Sequence, residues 1–149
     1  MLAGGSRSFH AAALLLPRRV AEPAAALYAF CRVADDAIDR EGGDAATVAA
    51  LERRLDAMCA GRPEPYAPDR AFAAVIARFG IPRTLPAALI EGLRWDAEGR
   101  RYETLTELEA YAARVAGTVG AMMSLVMGVR SPEAIARAAD LGVAMQLTN

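Results

Sequence analysis

The stretch Tyr28–Asp39, which reads YAFCRVADDAID, carries the pattern that decides the fold. Polar side chains are spaced four, three and four residues apart in it, at Tyr28, Arg32, Asp35 and Asp39. At about 100° per residue in an α-helix, these side chains fall within an arc of roughly 60°. Apolar residues occupy the neighbouring arc, namely Leu27, Cys31, Ala34 and Ile38. The stretch is therefore predicted to form an amphipathic helix with an acidic stripe beside its buried side.

The spacing of this acidic stripe leaves two interpretations open. In the first it is a solvent-exposed face, because Asp36 can pair with Arg32 and Arg40 at four-residue spacing for roughly 0.2–0.5 kcal/mol a pair. That interpretation does not explain Asp35 and Asp39, which repel each other one turn apart near a helix C-terminus that disfavours anions. In the second, these two carboxylates bind Mg²⁺, which commonly takes one or two carboxylates together with a substrate phosphate. Arg32 then binds the same phosphate, and we favour this second interpretation.

Composition limits the class of protein. The chain has 149 residues, 54% of them hydrophobic and 23% charged, with a net charge of -1. This is enough for one packed domain and excludes a disordered polymer. The balance of charges predicts no nucleic-acid partner. Cys31 and Cys59 have neither metal-ligand spacing nor the density of a disulfide scaffold, so we expect free thiols in a reducing compartment.

Neither membrane insertion nor secretion is expected from the hydrophobic runs. The longest stretch without a charge is residues 115–129, shorter than the roughly 18 residues of a spanning helix. The apolar run at residues 11–16 is followed by Arg18 and Arg19, whereas a secretory signal has its basic residues first. We therefore predict a cytoplasmic protein.

Helical spacing of Ala, Leu, Arg and Glu recurs through most of the chain, and strand-like alternation does not, so the predicted fold class is all-α. Pro23 and Pro132 suit the first turns of helices, and Thr106 with Glu109 has the spacing of a capping box. The last helix reaches Asn149 without a stop signal, which indicates a truncated chain. Helices are expected over about residues 8–16, 23–40, 46–60, 69–79, 85–99, 107–127 and 132–149.

Four blocks of the sequence together resemble the squalene and phytoene synthase family, most closely its bacterial phytoene synthases. The blocks are SRSF at Ser6–Phe9, YAFCRVADDAID at Tyr28–Asp39, VAGTVG at Val115–Gly120 and QLTN at Gln146–Asn149. Taken alone, the aspartate-rich block also fits chain-elongating prenyl synthases and terpene cyclases. The other three blocks favour the head-to-head condensing family.

This resemblance implies an isoprenoid-synthase-type helical bundle, of which residues 1–149 are the N-terminal portion of a single domain. By resemblance, Asp35, Asp39 and Asn149 bind Mg²⁺, with Mn²⁺ as an alternative. Asp35 and Asp39 are also catalytic, together with Tyr111, and the aromatic residue usual in the family two positions after Tyr111 is replaced by Ala113. The positions that match substrate-binding residues are Ser6, Arg7, Ser8, Phe9, Tyr28, Arg32, Asp36 and Gln146.

The implied reaction joins two geranylgeranyl diphosphates to phytoene through a cyclopropyl diphosphate intermediate. Two alternatives stay open: a relative that makes squalene or dehydrosqualene from farnesyl diphosphate, and a non-catalytic family remnant that acts as a binding or assembly protein. The partners implied are prenyl diphosphate substrates and a membrane surface, with no nucleic acid and no obligate protein partner. The aspartates of the family's second acidic motif would follow Asn149, so we expect the chain to be inactive alone.

Small side chains form a stripe along the long helix expected at 107–127. Two glycines inside a helix each cost roughly 1 kcal/mol relative to alanine, so something must approach them closely. Either another helix packs there or the stripe forms the wall of a prenyl-tail cavity, and the resemblance favours the wall. The stripe consists of Ala113, Ala116, Gly117, Gly120, Ala121 and Ser124.

Overall fold

The structure is a computed structural model that describes residues 16–41 and 44–148. Helices make up the regular structure of these residues, and no strand occurs among them, so the all-α prediction is confirmed. The helix expected over about 8–16 falls outside this range except for its last residue. The helices are α1 (Arg18–Glu41), α2 (Ala45–Cys59), α3 (Ala67–Phe79), α4 (Thr84–Ala97), α5 (Leu105–Ala112), a π-helical segment (Ala113–Gly117), α6 (Thr118–Val126) and α7 (Pro132–Thr148).

Helix α1 begins at Arg18, so the prediction that it begins at Pro23 was wrong. The carbonyl of Pro17 accepts the first backbone hydrogen bonds, from the N–H groups of Val20 and Ala21 at 2.8 and 2.9 Å. Pro23 lies inside the helix and is buried. Proline cannot donate the usual hydrogen bond at an interior position, and here its apolar ring is packed into the core instead.

The capping box of α5 lies two residues before the predicted one. Thr104 accepts a hydrogen bond from the Glu107 N–H at 3.2 Å, and the Glu107 carboxylate accepts one from the Thr104 N–H at 3.2 Å. The sequence contains the same spacing twice, at Thr104 with Glu107 and at Thr106 with Glu109. The first pair forms, and the Glu103 N–H also donates to the Glu107 carboxylate at 2.9 Å.

The predicted long helix is interrupted by the π-helical segment Ala113–Gly117. A π-helical turn contains one residue more than an α-helical turn, and such segments are frequent at functional sites. The hydroxyl of Thr118 donates to the Arg114 carbonyl at 2.6 Å, which provides a partner for one backbone oxygen of the segment. Helical periodicity alone did not distinguish this segment from the α-helix on either side.

One hydrophobic core is shared by α1, α2, α3, α4 and α6, and the contact of α1 with α3 is part of it. Phe30 stacks on Phe72 with ring centroids 4.3 Å apart and an interplanar angle of 15°. Leu27, Ala34 and Ile38 are buried, which confirms the predicted buried arc of α1, while Cys31 is half-buried. The acidic stripe therefore runs along the edge of the core.

A buried ion pair joins α2 to α3. Arg54 donates to both carboxylate oxygens of Asp69, through Nε at 2.9 Å and Nη2 at 2.6 Å, and the Asp69 side chain is only 2% exposed. Asp69 lies in the first turn of α3, where the helix dipole favours an anion. This pair is not predictable from local spacing, because its members are on different helices.

Replacing Asp69 by alanine is expected to lower the free energy of unfolding by about 1–3 kcal/mol, because the partly buried Arg54 guanidinium would lose both of its hydrogen bonds to the carboxylate. Urea unfolding followed by circular dichroism measures the change. The control is Asp56→Ala, which removes the exposed pair between Asp56 and Arg83 at 2.6 Å and should cost at most about 1 kcal/mol. Equal losses in the two variants would contradict this account.

Helix α7 packs closely on the segment from Ala116 to Gly120. A Cβ atom at Gly120 would overlap the carbonyl oxygen of Ala138, and one at Gly142 would overlap the carbonyl oxygen of Ala116. The predicted cap of α7 is confirmed, since the Ser131 hydroxyl accepts from the Ala134 N–H at 3.4 Å. Close helix packing, the first of the two explanations for the glycines, is therefore present.

Gly120→Ala is expected to force α6 and α7 apart and to destabilise the chain by about 1–3 kcal/mol. Gly117→Ala is the matched control, because the nearest atoms to its added Cβ lie at 3.4 Å, an ordinary contact distance. It should leave stability unchanged or raise it by up to about 1 kcal/mol through helix propensity. Thermal unfolding of both variants makes the comparison, and a neutral Gly120→Ala would rule out the proposed close contact.

Candidate active site

A pocket of about 310 Å³ opens beside the acidic stripe of α1. It brings together side chains from α1, α4, α5, the π-helical segment, α6 and α7. We call it the candidate pocket. Its lining residues are Tyr28, Cys31, Arg32, Asp35, Leu89, Leu93, Asp96, Tyr111, Val115, Val119 and Gln146.

Most of the predicted site residues within the described part of the chain meet at this pocket. Asp36 and Asp39 are exceptions, since they lie next to the pocket on α1 and do not line it. The predicted block Ser6–Phe9 and the predicted metal ligand Asn149 lie outside the described residues. The predicted residues that line the pocket are Tyr28, Arg32, Asp35, Tyr111 and Gln146.

Arg32 pairs with two carboxylates of its own helix. Its Nη1 lies 3.3 Å from Asp35 Oδ2, and its Nη2 lies 2.8 Å from Asp36 Oδ1. The pairing with Asp36 is the one that the exposed-face interpretation predicted. The guanidinium is half-exposed at 53%, so it remains accessible to an anion in the pocket.

The Asp35 carboxyl carries charge that its surroundings do not fully neutralise. Its pKa is raised above the usual range, first by burial and then by the charge of Asp39 one turn away. Arg32 acts in the opposite direction, while Asp36 and Asp96 add to the increase. A divalent cation would offset this repulsion, and oxygen donors one turn apart are the ligands that Mg²⁺ takes.

Tyr111 and Asp96 form a hydrogen-bonded pair on the pocket wall. The Tyr111 hydroxyl donates to Asp96 Oδ2 at 2.7 Å. Burial, followed by this bond and the negative charge of Asp96, raises the pKa of Tyr111 far above its usual value. The phenol is therefore neutral over the whole physiological range.

Asp96 was not predicted as a site residue, although its spacing in the sequence carries a signal. Leu89, Leu93 and Asp96 are spaced four and three residues apart, which places them on one face of α4. This is the spacing that revealed the stripe on α1. A lone acid at the end of an apolar face was not distinguishable from a solvated residue without the partner helix.

A second, more apolar cavity of about 580 Å³ adjoins the candidate pocket between the Val115–Met123 segment and α7. The two cavities share Val115, Val119 and Gln146. We call the second one the apolar groove. Ala116 and Gly120 of the small-residue stripe line it, so the stripe both packs against α7 and borders a cavity. The remaining residues that line the apolar groove are Met123, Ala138, Leu141, Gly142, Met145 and Thr148.

The described residues contain no group of three or more His, Cys, Asp or Glu side chains arranged to hold a metal ion. Asp35 and Asp39 therefore supply at most part of a coordination shell. Among the helices that the structure describes, none is long and apolar enough to cross a bilayer.

These features define an all-α protein with a charged pocket opening onto an apolar groove. The family model for squalene/phytoene synthase matches residues 2–149. The chain belongs to the squalene/phytoene synthase family.

Two relatives show how far the similarity extends. The chain is 59% identical over 148 residues to a phytoene synthase of Rhodobacter capsulatus, covering 97% of this chain and 44% of that protein. It is 54% identical over 159 aligned positions to a phytoene synthase of Cereibacter sphaeroides, covering 100% of this chain and 45% of that protein. The chain thus spans less than half the length of these two relatives.

A solved structure supports the predicted fold. The crystal structure of a dehydrosqualene synthase in complex with ligand matches with a TM-score of 0.88 and 37% identity. The match covers 99% of this chain and 52% of that chain. The prediction of an isoprenoid-synthase-type helical fold is confirmed.

Asp35→Asn is expected to raise the free energy of unfolding of the metal-free chain at pH 7 by about 0.2–0.5 kcal/mol, because it removes a like-charged pair one turn apart. A raised carboxyl pKa means that the folded state holds the proton more tightly than the unfolded state, so ionised Asp35 disfavours folding. The gain should therefore shrink as the pH falls through the pKa of Asp35. Urea unfolding in EDTA at several pH values measures it.

The matched control for this prediction is Asp36→Asn, which removes the closer ion pair with Arg32 at 2.8 Å. It should lower stability by about the same few tenths of a kcal/mol. A stability loss in Asp35→Asn would show that its attraction to Arg32 outweighs burial and the repulsion from Asp39.

Proposed function

We propose that the protein containing this chain condenses two geranylgeranyl diphosphates to phytoene, through a cyclopropyl diphosphate intermediate, as a prenyltransferase of carotenoid synthesis. The observation that carries the proposal is the junction of the two cavities at Val115, Val119 and Gln146. A charged pocket beside an apolar groove fits a substrate with a diphosphate at one end and a long hydrocarbon tail at the other. The similarity to phytoene synthases supports the choice of reaction.

Asp35 and Asp39 are proposed to bind Mg²⁺, or Mn²⁺, with Asn149 as a further ligand. Such a metal stabilises the leaving diphosphate when it is bound. Arg32 holds the diphosphate oxygens through its half-exposed guanidinium, and Asp36 orients Arg32 through their ion pair. The other residues proposed to contact the substrate are Ser6, Arg7, Ser8, Phe9, Tyr28 and Gln146.

The apolar groove is proposed to hold a prenyl tail and to exclude water from the reacting carbons. Water would quench a carbocation, so an allylic cation needs a dry, apolar cavity. Apolar side chains of the groove would contact the tail, among them Val119, Met123 and Leu141. The product is a long hydrocarbon, so we propose that the protein works at the cytoplasmic surface of a membrane, with no obligate protein partner.

Residues 1–149 are proposed to be the N-terminal portion of a single isoprenoid synthase domain. This proposal rests on the alignment of the whole chain with about half of each relative's length. We therefore expect no turnover when the isolated chain is incubated with Mg²⁺ and geranylgeranyl diphosphate.

The proposal is tested in the full-length protein by replacing Asp35 and Asp39 together with asparagine. Phytoene formation from geranylgeranyl diphosphate and Mg²⁺ should fall by at least about 100-fold, because the developing charge on the diphosphate would lose its stabilising partner. Asp56→Asn, at the exposed pair with Arg83, is the control and should retain wild-type activity. Unchanged synthesis in the double variant would refute the metal-diphosphate assignment.

Product analysis with both geranylgeranyl and farnesyl diphosphate distinguishes the alternatives. Phytoene as the main product supports the proposal. Squalene or dehydrosqualene would identify a farnesyl-using enzyme, as in the solved dehydrosqualene synthase. Absence of any condensed product from the full-length protein would favour a binding or assembly role.

A further inference from the structure

The Asp96–Tyr111 pair occupies the same pocket as Arg32 and Asp35 but has a different chemical character. Arg32 offers a positive charge to an anion. The Asp96–Tyr111 pair instead presents a carboxylate and the phenol bonded to it. Arg32 is therefore suited to a negatively charged group of a substrate, and the Asp96–Tyr111 pair to a positively charged one.

The direction of the hydrogen bond determines what Tyr111 can offer to a ligand. A tyrosine hydroxyl has one proton, and at Tyr111 this proton is donated to Asp96 Oδ2 at 2.7 Å. This bond uses neither the oxygen lone pairs nor the aromatic ring of Tyr111, and Tyr111 lines the pocket. Both are electron-rich, and the negative charge of Asp96 makes the phenol oxygen more so.

Stacked side chains behind Tyr111 hold its ring in place. Tyr102 stacks on it with ring centroids 4.9 Å apart and an interplanar angle of 28°. The Arg100 guanidinium lies over Tyr102 at 5.9 Å and over Trp95 at 4.1 Å, while Arg114 lies over Trp95 at 4.2 Å. This cluster packs residues from α4 and from the loop before α5 against α5. Tyr111 is therefore a preorganised group rather than a freely rotating one.

At the Tyr111 hydroxyl the neighbouring carboxylates disfavour an anion and favour a cation, whereas Arg100 and Arg114 lie over Trp95. Burial, the hydrogen bond to Asp96 and the negative charges of Asp96 and Asp35 keep the pKa of Tyr111 high, so the phenol stays protonated. The Tyr111 hydroxyl already donates its one proton to Asp96 Oδ2, so it cannot also donate to a diphosphate. An aromatic face and an oxygen lone pair do attract a cation.

We propose that Asp96 is a positioning residue that accepts the hydrogen bond of the Tyr111 hydroxyl, so that the Tyr111 oxygen and ring stabilise the allylic carbocation of the condensation. This inference rests on the proposed function. The step it serves is heterolysis of the allylic C–O bond, in which the bonding electron pair leaves with the diphosphate and the positive charge stays on the prenyl carbons. Tyr111 transfers no proton in this step.

The test uses the full-length protein with three variants: Asp96→Ala, Tyr111→Phe and the double variant. Each single variant should lower kcat for phytoene formation by about 10–100-fold, with KM for geranylgeranyl diphosphate unchanged within about twofold. The double variant should lose no more than the larger single effect, because Asp96 acts through Tyr111. Tyr111→Phe keeps the ring, so it remains informative if Asp96→Ala does not fold.

The matched control is Glu98→Gln, which alters an exposed acid two residues from Asp96 that lies 3.6 Å from Arg94 and outside the pocket lining. It should retain wild-type kcat. Wild-type kcat in Asp96→Ala, losses that multiply in the double variant, or a rise in KM without loss of kcat would each overturn the inference. These outcomes would leave phytoene formation by the wild-type protein intact, whereas a wild-type protein that forms no product would overturn both proposals.

Discussion

The packing of α1 on α3 is the constraint on which the candidate site depends. Stacking of Phe30 on Phe72 fixes the rotation of α1 about its axis. Because helical side chains project at fixed increments of about 100°, burying this arc also fixes the neighbouring arc. Asp35 is thereby held at the edge of the core, where burial and the charge of Asp39 raise its pKa. The same packing that stabilises the fold therefore places Asp35 where its ionised form is disfavoured.

The π-helical segment has a comparable role on the opposite wall. Tyr111 and Val115 face the candidate pocket, while Ala116 and Gly120 face the apolar groove and α7. The long helix formed by α5, the π-helical segment and α6 therefore borders both cavities and also packs closely on α7. The extra residue of a π-helical turn changes which side chains point in a given direction before and after it. A charged and an apolar cavity can consequently share a wall.

Much of the fold followed from sequence because helical periodicity is a local property. The buried arc of α1, the Ser131 cap and the family blocks were all readable within one or two turns. The features that could not be predicted from the sequence depend on contacts between helices or on small differences in energy. Two overlapping Thr-x-x-Glu patterns competed for one cap, and Asp69 and Asp96 acquire their partners only when helices pack.

Three acids show how a partner decides the role of a carboxylate. Asp69 is neutralised by the bidentate Arg54 and lies outside the candidate pocket, so it serves the fold. Asp96 bonds to a neutral phenol, and Asp35 shares Arg32 with Asp36 while facing Asp39. The pocket thus holds more negative than positive charge. If the proposed function holds, an anionic diphosphate would meet repulsion there unless a divalent cation accompanied it, whereas the same wall would stabilise a carbocation. Under that proposal, the charge distribution that would hinder entry of the metal-free diphosphate would also favour the cation formed when the diphosphate leaves.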